Sequence, residues 1–390
     1  MEDMPEELVA LVLALLPKEM VAVAARTCRQ WFRCCPAPLR NRLSIRALCS
    51  RVELLRWALR NGYSWGTEAC AAAAAQGRLD VLRWAREQGC PWDRRTPSEA
   101  ANGGHVAVLR WAIEQGCEWD KRGASITLAS KGHLEALKWV TQRADRGLPT
   151  NVINVAALNG HLHVVQWARL EQGCDWSTNA CSFAAENGHL HVLKWLRQHG
   201  CNWGEWTCHR AAFNGHLEVL QWARQHLCLW GEWTCASAAE SGHLAVLQWA
   251  RENGCPWDEN TCARAAKNGH LEVLQWAREN GCPWDEGTCA FAASNGHLTV
   301  LQWARGNECP WDEGTCNAAA RHGHLEVLRW ASESGCPWNE GTCAIAAKSG
   351  HLAVLKWLRE HGCPWNDSTL RALAAQSGDM ELRQWVEANP

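Results

Sequence analysis

A single block of sequence recurs along this chain at a nearly constant interval. In one copy it reads Gly269-His-Leu-Glu-Val-Leu-Gln-Trp-Ala-Arg278, followed by Glu-Asn-Gly-Cys-Pro-Trp284. His189, His216, His243, His270, His297, His324 and His351 follow one another every 27 residues, and His105, His133, His161 and His189 every 28. Tryptophans from Trp57 to Trp385 mark thirteen copies. A fixed period between about 20 and 50 residues is the mark of a solenoid, whose units bury their apolar faces only against neighbours. Length alone therefore does not divide the 390 residues into domains, because an array grows one unit at a time.

The unit from Glu259 to Asp285 indicates what each copy forms. Thr261 is expected to cap or begin a short helix, which Asn268-Gly269 ends, glycine being the usual left-handed stop. His270 starts a second helix, Gly281 closes it, and Pro283 keeps it from resuming. Leu271, Val273, Leu274 and Ala277 form an apolar stripe, and Glu272, Gln275 and Arg278 are expected to face water. Ala265-Ala266 leaves room for close helix approach. No segment alternates with period two, so the fold class is all-α. Of the 27 tryptophans, thirteen fall on second helices and eleven in the Pro-Trp loops from Trp65 to Trp365; both sets are expected in the core. The 22 cysteines sit mostly in Gly-Cys-Pro-Trp and Thr-Cys. They read as reduced, buried, apolar residues, which suits a cytoplasmic or nuclear protein.

A formal charge of −2, with no long run of one sign, argues against nucleic acid or an anionic membrane as the main partner. No stretch approaches the roughly 18 apolar residues of a membrane-spanning helix, and Met1-Glu-Asp-Met-Pro5 lacks the basic start of a secretion signal. Cys262 and His270 recur together, but zinc sites usually pair ligands two to four residues apart, and Cys-x-x-Cys is absent. The cysteines are interchangeable copies rather than one distinguished nucleophile, and no phosphate-binding loop is present. Neither a metal, a cofactor nor catalysis is expected.

Residues 1–40 differ in kind. Pro5 opens a helix with Leu8, Val12 and Leu16 at helical spacing, and Pro17 stops it. Met4-Pro5, Glu7-Leu8, Val12, Leu16-Pro17 and Cys28-Arg29-x-Trp31 resemble an F-box. Thr27 stands where that family has valine, and Pro36-Ala-Pro-Leu39 replaces its usual tail. The resemblance implies binding to the Skp adaptor of cullin-RING ubiquitin ligases, with Pro5, Leu8, Val12, Leu16 and Pro17 in the contact surface. The alternative is a helical cap that shields the first repeat.

Residues 41–390 resemble ankyrin repeats. Ala265-Ala-Lys-Asn-Gly-His-Leu-Glu-Val-Leu-Gln-Trp276 follows that family's Ala-Ala-x-x-Gly-His-Leu-Glu-Val-Val-x-Leu. The family's period is about 33, so the shorter interval here implies fingers reduced to tight loops. The resemblance implies an ankyrin-like helix-turn-helix solenoid. Short tryptophan-rich units joined to an F-box resemble arrays abundant in amoebae, some algae and the giant viruses that infect amoebae, which for a viral protein implies the host cytoplasm.

Two tryptophans have no place in the repeat scheme. Trp206 and Trp233 stand in Gly-Glu-Trp-Thr-Cys where other units carry Gly, Asn or another small residue. His209, Arg210 and Phe213 lie beside them, and exposed aromatics and arginine are typical anchors of binding surfaces. These five residues are the expected target-binding site. Further contacts are expected at the variable positions before and after the alanine pair. The irregular stretch 141–150 is either a joint or a degenerate copy. The expected function is that of a substrate receptor in a cullin-RING ligase, monomeric within a hetero-complex, holding the Skp adaptor at one end and a target protein on the repeats. The alternative is an interaction scaffold, or a factor that sequesters host proteins, without a ligase.

Overall fold

The structure is a computed structural model that describes residues 45, 49–50, 52–60, 66–143, 148–149, 151–177, 179–364 and 366–389. The 1–40 module with Pro5, Leu8, Val12, Leu16 and Pro17 lies outside these residues, as do Trp65 and Trp365 and part of the 141–150 stretch. Every regular element among the described residues is an α-helix, and the helices alternate with short loops in a repeated helix-turn-helix arrangement. The chain forms two compact units, Met1–Trp176 and Ser177–Pro390.

In the second unit the first helices of successive repeats pack one on the next: Asn179–Glu186, Glu205–Phe213, Glu232–Glu240, Glu259–Lys267, Glu286–Ser294 and onward. Each second helix, such as Leu217–Gln225, Leu244–Glu252 or Leu271–Glu279, leans on its own first helix. The alanine pair makes the close stacking possible: Ala265 and Ala266 are fully buried, as are Cys262, Leu274 and Ala277. In the first unit Thr67–Ala75, Arg95–Asn102, Lys121–Lys131 and Val152–Leu158 stack in the same way.

Polar links join each repeat to the one before. His270 precedes its helix without capping it by the side chain. Its ring reaches back instead, with Nε2 3.1 Å from the Glu240 carbonyl oxygen, so that nitrogen carries the proton and donates it. The same bond recurs from His216 to Glu186 at 3.0 Å and from His324 to Ser294 at 3.1 Å. The loop cysteines form a second ladder, the Cys282 thiol donating to the Asp258 carbonyl at 3.4 Å and Cys255 to Gly231 at 3.5 Å. All described cysteines are free, and all but Cys174 are buried. The neighbouring Cys282 thiol, together with burial, pushes the Cys262 thiol well above its ordinary value, so it stays protonated and unreactive.

Two expectations need correction and one is narrowed. Of the two places open to Thr261, cap or start of the first helix, it takes the second: it is buried in the first turn, and Asp258 is the cap, accepting from the Asn260 amide at 3.2 Å. A carboxylate suits the positive helix end better than a hydroxyl. Arg278 does not face water. Its guanidinium lies 4.0 Å from the Trp284 ring centroid and donates to the Cys282 carbonyl at 2.5 Å. The indoles are mostly half-buried rather than core. Trp284 meets Trp303 of the next repeat edge to face at 5.9 Å, and Trp257 meets Trp276 in the same way. They form an aromatic layer over a core of Ala, Cys, Val and Leu, because a ring this large does not fit between helices brought together by alanine.

The loop at Leu227 carries a backbone penalty. Gly200, Gly254 and Gly281 close the equivalent helices at φ values of 85°, 79° and 82°, whereas Leu227 adopts φ 64° with 85% of its surface exposed. A left-handed residue with a Cβ costs about 1–2 kcal/mol, and this side chain recovers little by packing. Leu227→Gly is expected to raise the unfolding free energy by about 1 kcal/mol, read from the urea midpoint. A lower midpoint would show that Leu227 makes contacts worth more than the strain.

Candidate functional site

The helices Glu205–Phe213 and Glu232–Glu240 both start from glycine N-caps in extended conformation, Gly204 and Gly231. That start places Trp206 and Trp233 in the first helical turn, at the surface, with 59% and 53% of their area exposed. Phe213, at the far end of its helix, is 42% exposed. The equivalents of the two tryptophans in later repeats are Asn260, Gly287, Gly314 and Gly341.

His209 ties these helices together. Its Nδ1 lies 2.7 Å from the Ser237 hydroxyl and 3.3 Å from the Trp233 carbonyl oxygen. Its ring meets Trp206 edge to face at 4.9 Å. Burial pulls the imidazole below the ordinary histidine value, so it is neutral at pH 7. Trp206, His209, Phe213 and Trp233 line one cavity of about 480 Å³, together with Glu205, Gly231, Thr234, Glu240 and Arg264. Arg264 donates to Glu240 at 2.6 Å, and its guanidinium carbon lies 5.2 Å from the Trp233 ring centroid.

Four of the five residues singled out in the sequence thus share one cavity. Arg210 does not line it. It is ion-paired with Glu186 and stacks over Phe183 at 5.0 Å, on the side of the preceding repeat. Of the other lining residues, sequence reasoning misses Glu205 but places further contacts at the positions of Glu240 and Arg264. Glu240 and Arg264 occupy the variable positions after and before the alanine pair, as do Glu186 and Arg210, and each acid pairs with the arginine 24 residues onward. A second cavity of about 390 Å³ lies farther along the same face, lined by Lys267, Phe291, Ser294, Ala318 and Arg321 among others. The 24-residue offset follows from stacking neighbouring first helices, which a reading of one repeat at a time does not reveal.

Among the described residues no helix is long and apolar enough to cross a membrane.

Residues 181–224 and 235–278, which include most of this cavity's lining, match the family model described as ankyrin repeats (many copies). The crystal structure of the human ASB11 ankyrin repeat domain is similar over 48% of this chain and 99% of that chain, at 18% sequence identity and a TM-score of 0.38. No curated protein matches the chain.

Proposed function

We propose that the repeats hold a target protein on the first-helix face around Trp206, Phe213 and Trp233, and that residues 1–40 hold a Skp-type adaptor of a cullin-RING ubiquitin ligase. The observation that carries the first half is three large apolar side chains exposed around one cavity, two of them at positions where later repeats have asparagine or glycine. Exposed aromatics of this size are typical anchors of interfaces. The second half rests on the F-box resemblance of Pro5, Leu8, Val12, Leu16 and Pro17. Together they describe a non-catalytic receptor that brings target and ligase close, so that proximity does the work and the chemistry belongs to the ligase. The buried free thiols suit a reducing compartment, cytoplasm or nucleus.

The test is co-purification of the full chain with a Skp adaptor, as wild type, as Leu8→Asp/Leu16→Asp and as Trp206→Ala/Trp233→Ala. The wild type and the tryptophan variant are expected to retain the adaptor, and the leucine variant to lose it with helicity unchanged. If the wild type holds no adaptor, the ligase coupling falls and the chain is a scaffold alone. If the tryptophan variant retains a target protein as well as the wild type does, the first-helix face is not the docking site.

A further inference from the structure

Resting on the target-docking reading of this face, we infer that the cavity between Trp206 and Trp233 receives an arginine side chain of the partner protein. Its charge favours a cation. Glu240 is already neutralised by Arg264, His209 is neutral, and Glu205 makes no ion pair among the described residues, which leaves one free carboxylate at the rim. Its walls favour a flat cation. Trp206 and Phe213 present exposed ring surface, and Trp206 carries no stacked cation among the described residues. Elsewhere the chain fills such a place with its own arginine: Arg224 lies 4.0 Å from the Trp230 ring centroid, Arg251 4.0 Å from Trp257 and Arg305 4.2 Å from Trp311. Those arginines also donate to a loop carbonyl, and here Trp206 and Glu205 line one cavity as an indole and a carboxylate acceptor with no guanidinium on the indole among the described residues.

Arginine suits this site better than lysine. A guanidinium is planar and weakly hydrated, so it lies on an indole face while its fork donates to a carboxylate, whereas an ammonium holds its water more tightly. The volume, about 480 Å³, admits the whole side chain rather than its tip alone. An acidic side chain would meet Glu205, and it would find Arg264 already bound to Glu240.

The test uses the full chain and capped pentapeptides of glycine with arginine, citrulline, lysine or glutamate at the centre. Binding is followed through indole N–H resonances, with Trp206 assigned by Trp206→Phe. Citrulline has the shape of arginine without its charge. The arginine peptide is expected to shift the Trp206 signal and to bind about tenfold more tightly than the citrulline peptide, a margin typical of a partly desolvated cation over an indole. Glu205→Gln is expected to weaken arginine binding several-fold, while Glu232→Gln, at the same place one repeat on and outside the cavity lining, leaves it unchanged. Equal binding of arginine and citrulline, preference for glutamate, or no shift at Trp206 would each overturn the inference. If Trp206→Ala/Trp233→Ala nevertheless abolishes target capture, the face still docks the target and only the nature of the inserted group is wrong.

Discussion

Leu274→Ala is expected to lower the stability of the second unit by about 3 kcal/mol, within the range of about 2–5 kcal/mol for truncating a fully buried leucine. Leu274 is 0% exposed, on a helix whose other buried residues are Val273 and Ala277. The surrounding alanines have no alternative rotamers with which to fill the space, so collapse around the cavity is limited. In a stacked array the damage is local at first, because each repeat depends on its neighbours. Hydrogen exchange should therefore show the amides of Leu271–Glu279 and of the adjoining first helices opening more often than those near Leu352–Glu360. Glu272→Ala, on the exposed side of the same helix, should stay within about 0.5 kcal/mol of the wild type. A Leu274→Ala variant that unfolds with the wild type would mean that the Val-Leu-Ala stripe is not the core.

Gly242→Ala is expected to cost about 2–4 kcal/mol, from about 1–2 for a left-handed residue with a Cβ and about 1–3 for overpacking. Gly242 ends its helix at φ 76°, and a Cβ built there would lie 2.7 Å from Nδ1 and 2.8 Å from Cε1 of His270. The ring has little freedom to retreat. Its Nε2 donates to Glu240 at 3.1 Å and its backbone amide donates to Ala265 at 3.0 Å. The Gly-His pair is thus one device spread over two repeats, the glycine of one making the seat for the histidine of the next. Removing the ring should relieve part of the clash, so Gly242→Ala/His270→Ala is expected to be more stable than the sum of its single changes by about 1 kcal/mol or more. Gly306→Ala is the contrast. That glycine sits inside a helix end with no atom within 4 Å of a built Cβ and no positive φ, and alanine there should stabilise by about 0.4–1 kcal/mol. Strict additivity of the Gly242 and His270 changes would show that the ring and the glycine do not meet.

Much of this was legible in one dimension. The helix-turn-helix unit follows from glycines at 269 and 281, which take the left-handed stop, and from proline at 283, which cannot continue a helix, and the apolar stripe follows from helical periodicity. The described cysteines, Cys174 excepted, are buried, as expected of interchangeable copies at two repeat positions that serve packing. Trp206, His209, Phe213 and Trp233 stand out because they are aromatic where most other copies carry small or charged residues, and an exception in a repeat needs only sequence to be seen.

What periodicity could not supply was the relation between copies. Bulk and apolarity placed the indoles in the core, and Trp139, Trp167, Trp195 and Trp357 are buried, whereas most of the described ones sit half-buried because alanine-spaced helices leave little room for a ring of that width. Charge placed Arg278 in water, whereas an aromatic face and a carbonyl one loop away hold it. Arg210 neighbours His209 in the chain but turns to the preceding repeat, where it pairs with Glu186. The sequence by itself determined the repeating helical unit and the anomalous residues, since both are properties of local order along the chain. Only the tertiary structure decided which residues meet across repeats, because helices stacked side by side bring together groups 24 to 31 residues apart by a distance and angle that no single unit encodes.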